Sequence, residues 1–255
     1  MRLFLEATSY VEDIRIEMVA HEGNPFGGEE HPAVMIGLTV GDPIIQFTDS
    51  LSPEERVEAV AHELGHLLLV YRFGLGVVGR KIPHDETSEE RLRFCLDMDG
   101  NWLYLLGQIA NTVHHLILVD YLKEEYGIES HLHLRLLHRN FCAIANGHCE
   151  DEESFHAKGL AAFEYEKLLG KVIRVINPYP QSEFFGKAYD SARNHFGHYS
   201  ASSIPTPPHY AEDILSFLES LGYQRQDFIF FPDATSNCPP DDETPSRIEM
   251  KWFHG

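Results

Sequence analysis

The chain has 255 residues, 43% of them hydrophobic, which suits a core-forming domain and argues against a disordered segment. Forty acidic against twenty basic residues give a formal net charge of -20, which repels phosphate backbones and speaks against a nucleic-acid partner. A basic peptide or protein surface is the better electrostatic match, and four cysteines without a C-x-x-C pair fit a reducing, cytoplasmic setting.

The first residues, "MRLFLEATSYVEDIRIEM", hold a short apolar patch ended by Glu6 and lack the apolar core of a signal peptide, so export by that route is not expected. "DIRIEMVA", "AVMIGLTV" and "DPIIQFT" alternate or cluster β-branched residues between turn signals, and they predict a small sheet over about residues 10–50. A helix follows over about 53–73. Ser52 is its N-cap, Pro53 its first position, and Glu55 completes a capping box. Val57, Val60, Ala61, Leu64, Leu67 and Leu68 make an apolar stripe that runs on to Phe73, with Gly74 as the stop.

The rest reads as helix, over about 88–222. A stretch runs from Ser88 to Asp97, and a long one from Asn101 to Tyr126 ends at Gly127. Others cover "LHLRLLHRNFCAIANG", "EESFHAKGLAAFEYEKLLG" and "SEFFGKAYDSARNHFG", and the last begins after Thr206 and ends at Gly222. Residues 233–255 form an acidic, proline-rich tail. Apolar segments near Leu64–Val78 and Leu116–Leu122 are short or broken by His66, Arg72 and Asp120, so no membrane span is expected. The fold class is α+β: a small N-terminal sheet followed by a mostly helical body, one domain over 1–232.

The chemistry sits in "AVAHELGHLLLVY". Residues four apart on a helix lie one above the other, so His62 and His66 can aim their imidazoles at one zinc ion. Glu63, beside the first of them, can reach a water on the metal without being a ligand. Sheet first, motif helix next and helices afterwards, together with His62, Glu63, Leu64, Gly65 and His66, resemble the zincin metallopeptidases. The resemblance implies a soluble zinc-dependent peptidase with Glu63 as general base and a peptide or protein substrate. It also implies that a strand such as "PIIQFTD" is the edge strand that lines the cleft.

A catalytic zinc takes three protein ligands. The extended metzincin pattern fails at Arg72, where it needs a histidine, and the Asn-Glu of thermolysin-like relatives is replaced by Asn111-Thr112. "NTVHH" resembles instead the second helix of small bacterial and phage-type HExxH proteins. That resemblance implies His115 as third ligand and Asn111, on the same helical face, as the group that orients it. His114 is the rival, followed by the carboxylates Glu86, Glu90, Asp97, Asp99 and Asp120. The competing function is a catalytically silent zinc-binding regulatory or interaction protein, against which the intact Glu63 counts. His131 and His133, two apart and therefore splayed on a helix, read as surface residues. His148, beside Cys149, reads as a residue at a helix end. His195, His198, Tyr199 and Tyr210 are candidates for stabilising an oxyanion.

Overall fold

Three short strands precede the motif helix, as expected: β1 (Arg15–Val19), β2 (Ala33–Ile36) and β3 (Ile44–Thr48). The computed structural model describes residues 1–11, 13–20, 33–36, 43–80, 100–146, 151–170 and 183–231. The expected helix at 88–97, the tail at 233–255, His148 and the rival carboxylates Glu86, Glu90, Asp97 and Asp99 lie outside them. β3 is the middle strand, parallel to β1 with Arg15 opposite Ile44, and antiparallel to β2 with Met35 opposite Ile45. The strand that leads into the motif helix is therefore not the edge strand: among the described residues, β1 and β2 are the edges. Burial follows position in the sheet: Ile45 and Thr48 of the middle strand β3 are buried, whereas Ile16 and Met18 of the edge strand β1 are exposed.

The motif helix, α2, spans Pro53–Tyr71. Its start follows the sequence: the Ser52 hydroxyl accepts from the Glu55 backbone N–H, and the Glu55 carboxylate accepts from the Ser52 N–H at 2.9 Å. Ala61, Leu64, Leu67 and Leu68 of the stripe are buried, but Val57 at its N-terminal end is 65% exposed. The cap also ties α2 to a later helix through the ion pair of Glu55 with Arg135. The Ser52 N–H first, and then the Arg135 guanidinium, hold the Glu55 carboxyl down at about 2. Ser52→Ala is expected to cost about 1 kcal/mol at neutral pH. With its folded pKa depressed, the ionised Glu55 contributes its stability above its ordinary value of 4.5, and that contribution is lost as pH falls through about 2. Thermal melts of wild type and Glu55→Gln, which keeps an acceptor for the Ser52 N–H but not the charge, should therefore differ most at neutral pH and converge as pH falls from 4.5 toward about 2; a gap that widens in acid would overturn this account of the cap.

A short N-terminal helix α1 (Arg2–Ala7) packs on α2, and a second sheet pairs β4 (Val77–Arg80) antiparallel with β5 (Phe228–Phe231). The remaining elements are α3 (Gly100–Tyr126), α4 (His131–Asn146), α5 (Glu152–Leu169), α6 (Glu183–Phe196) and α7 (Pro207–Leu221). α3 ends where its sequence stops it, at Gly127, which takes a positive φ of 69° and donates its N–H to the Lys123 carbonyl. One core holds Leu64, Leu67 and Leu68 of α2, Ile109, Val113 and Ile117 of α3, and Ile214, Phe217 and Leu218 of α7. α2 and α3 come close because Gly65 has no side chain: a Cβ there would lie 2.2 Å from Leu118 Cδ1, three residues after His115. Among the described residues no helix is long and apolar enough to cross a membrane.

Candidate metal centre

Where α2, α3 and α4 meet, four imidazoles converge: His62 and His66 from α2, His115 from α3 and His133 from α4. His62 Nε2 lies 3.1 Å from His115 Nε2 and 3.1 Å from His66 Nε2. Ring centroids of His66 and His115 are 5.1 Å apart. The ligand atoms of His62, His115 and His133 also lie within 4.8 Å of one another, so His62 and His115 belong to both possible triads.

These contacts are not an ordinary hydrogen-bond network. An imidazole nitrogen offers one position, a proton or a lone pair. His62 Nε2 has two nitrogens at that one position, so a single proton there is divided between two lone pairs, a weaker arrangement than two separate bonds. The other nitrogen of His62 and Nε2 of His133 are buried without a partner among the described residues. A cation removes the conflict, since all the facing nitrogens can then present lone pairs. The spacing fits as well: metal–nitrogen bonds of about 2.0–2.1 Å in tetrahedral geometry put ligand nitrogens about 3.3–3.4 Å apart. The His62/His115/His133 cluster could hold a metal ion.

Two of the rings, His115 and His66, are held from behind. His115 Nδ1 donates to Glu164 Oε1 at 2.7 Å, which leaves its Nε2 bare toward His62. Glu164 comes from α5; its side chain is 2% exposed, and Oε2 accepts from Thr112 Oγ1 at 2.7 Å and from Gln108 Nε2 at 3.0 Å. Its ion-pair partners among the described residues are imidazoles, His115 and, at 4.0 Å, His133. Among the described residues no guanidinium or ammonium is paired with this buried carboxylate, and a metal on these histidines would supply positive charge beside it. Asn111 does not orient His115. It is exposed, and the nitrogen it was expected to orient, His115 Nδ1, is taken by Glu164.

His133 corrects the reading of both histidines of "HLH" as surface residues: His131 is exposed, but His133 stacks on His62 at 4.6 Å and stands edge-on to His115 at 4.2 Å. The cause is Glu58, one turn before His62, whose carboxylate accepts the His133 backbone N–H at 3.0 Å and also that of Leu132. α2 thus caps the first turn of α4 and turns one of its two histidines inward. Burial and the neighbouring imidazoles push His62, His66 and His133 well below the usual histidine range, so all three are neutral and fit to be ligands.

Compared with known proteins, the chain matches no family, no curated sequence and no solved structure. The site must speak for itself.

Glu63 is half-buried, and burial raises its carboxyl to about 7 against the opposing effect of the Met35 backbone N–H, which it accepts. That bond joins the motif to the edge strand β2. His114 is fully occupied elsewhere: Nδ1 faces His66 Nδ1 at 3.1 Å and Nε2 faces the Leu75 carbonyl at 3.0 Å. Asp120 is exposed. Of the residues expected to stabilise an oxyanion, Tyr210 spends its proton on the Gly76 carbonyl at 2.8 Å and Tyr199 on Asp213 at 2.8 Å. His198 lies 3.7 Å from the same Asp213.

Proposed function

We propose that the chain is a zinc-dependent metallopeptidase of the zincin kind, acting on peptide or protein substrates. The observation that carries the reading is the convergence of His62, His66 and His115 at 3.1 Å contacts, with Glu63 next in sequence to the first of them and its carboxylate tied to a sheet edge. Neutral imidazoles at tetrahedral spacing suit zinc. Zinc held there supplies Lewis-acid chemistry, polarising a peptide carbonyl and lowering the pKa of a water toward about 7. His62, His66 and His115, the last fixed by Glu164, would hold the ion, and Glu63 would accept a proton from the water and return it to the leaving amine. β2, an edge of its sheet among the described residues, offers backbone groups to an extended substrate. The net charge of -20 favours basic substrates, and the cysteine usage favours a cytoplasmic setting.

A second reading is favoured by one observation, His133. With four histidines available, the site can close as a structural metal clasp that staples α2, α3 and α4, the arrangement of a silent regulatory or interaction protein. Metal analysis of the purified chain, joined to a proteome-wide search for new N-termini generated by wild type but not by Glu63→Gln, tests the first reading against the second.

A further inference from the structure

His114 and Tyr210 have no part in the proposed reaction, yet both are buried directly behind the metal-site histidines. The hydrogen-bonding atoms around them admit a single arrangement of protons. His114 Nε2 faces the Leu75 carbonyl at 3.0 Å, which can only accept. The same nitrogen lies 3.4 Å from the Tyr210 hydroxyl, whose own proton goes to the Gly76 carbonyl at 2.8 Å, so the hydroxyl offers His114 a lone pair. Two acceptors at one nitrogen require that nitrogen to carry the proton. In the neutral ring Nδ1 is then a lone pair, and His66 Nδ1, 3.1 Å away, must donate to it. The proton of His66 is thereby fixed on Nδ1, and His66 Nε2, which faces His62, is bare.

We infer that His114 is a positioning residue that locks His66 in the metal-binding tautomer, an inference that rests on the reading of the cluster as a metal site. The lock is anchored in backbone. Leu75 and Gly76 belong to the turn that leaves α2, and Tyr210 comes from α7, so the end of the motif helix and a distant helix together dictate which nitrogen of His66 is free. Without His114, nothing at that position requires a proton on His66 Nδ1, and the proton can move to Nε2, where it blocks the metal. His115 has its own lock in Glu164, so two of the ligands are set by different devices, one a neutral imidazole and the other a carboxylate.

The test reads the tautomer and the metal separately. Long-range nitrogen–proton NMR of the metal-free wild type should show the His66 proton on Nδ1. His114→Leu, which keeps the volume but removes the acceptor, should weaken zinc binding about 10- to 100-fold in a chelator competition, as losses behind a ligand do. It should also move the His66 proton to Nε2. His114→Gln, which keeps an acceptor and a donor, should restore the Nδ1 signal and stay within about threefold of wild-type affinity. If His114→Leu fails to fold, the wild-type spectrum and His114→Gln still decide. A His66 proton on Nε2 in the wild type, or wild-type zinc affinity in His114→Leu, overturns the inference. A wild type with the Nδ1 signal but no zinc affinity leaves the lock standing as a hydrogen bond and overturns the metal reading, and with it the role assigned to His114.

Discussion

Glu63→Gln is expected to keep the fold and the zinc and to lose hydrolysis by at least about 10²-fold, the lower end of what general acid–base catalysis contributes. The separation follows from what the carboxylate touches. Glu63 accepts a hydrogen bond from the Met35 backbone N–H, and a glutamine oxygen accepts it equally well, so the tie between α2 and β2 survives. The proposed ligands are imidazoles, whose close contacts are with one another, His114 and Glu164. What the amide lacks is basicity. Because the substrate is unspecified by geometry, the measurement compares new N-termini in a mixed proteome digested by the zinc-loaded wild type and by the variant. Equal cleavage by both, or none by either, would move the chain to the structural-clasp reading.

The second large effect concerns the ligands. His62 stands in both triads, so His62→Ala should reduce bound zinc from about one per chain to near none. The loss carries a stability cost: an ion present at 1,000 times its dissociation constant stabilises the folded chain by about 4.1 kcal/mol. His62→Ala as purified should accordingly melt like chelator-treated wild type. Asn111→Ala, at an exposed position, should retain the metal. His133→Ala divides the two functional readings, since an open catalytic site keeps its zinc without it and a four-histidine clasp binds markedly more weakly. Stoichiometric zinc in His62→Ala by elemental analysis would remove the site from α2.

The face of α2 that bears His62, Glu63 and His66, its capping box and its stripe were legible because they depend on local rules of spacing and chain entry. So were the three strands and most of the later helices. His115 was named on a resemblance, and only the packing of α3 on α2 turns it, rather than His114, toward His62. His133 and Glu164 were missed for a different reason: each is set by a contact distant in sequence. Two histidines two apart do splay, but the argument stops short of saying that one of them faces inward, which is decided by Glu58 on another helix. Glu164 did leave a trace. Ala157, Leu160, Ala161 and Glu164 share one side of a helix that is buried all round from His156 to Tyr165, and a carboxylate in so apolar a run marks a functional contact. α1 and the β4–β5 pair escaped because short segments carry little periodicity, and β5 finds its partner only in the folded chain.

The contact of Gly65 with Leu118 reaches further than packing. The missing side chain fixes how near two helices lie, and that separation fixes the gap between His62 and His115 Nε2, 3.1 Å. On the metal reading proposed above, discrimination between ions of different radius would rest on an apolar contact as well as on the donors. Gly65→Ala, which obliges Leu118 to give way, should widen the gap and shift preference from zinc toward the larger cadmium ion in a competition titration; an unchanged ratio would show that the rings adjust by themselves. The second variable residue of a five-residue motif would then act as the calibre of the site.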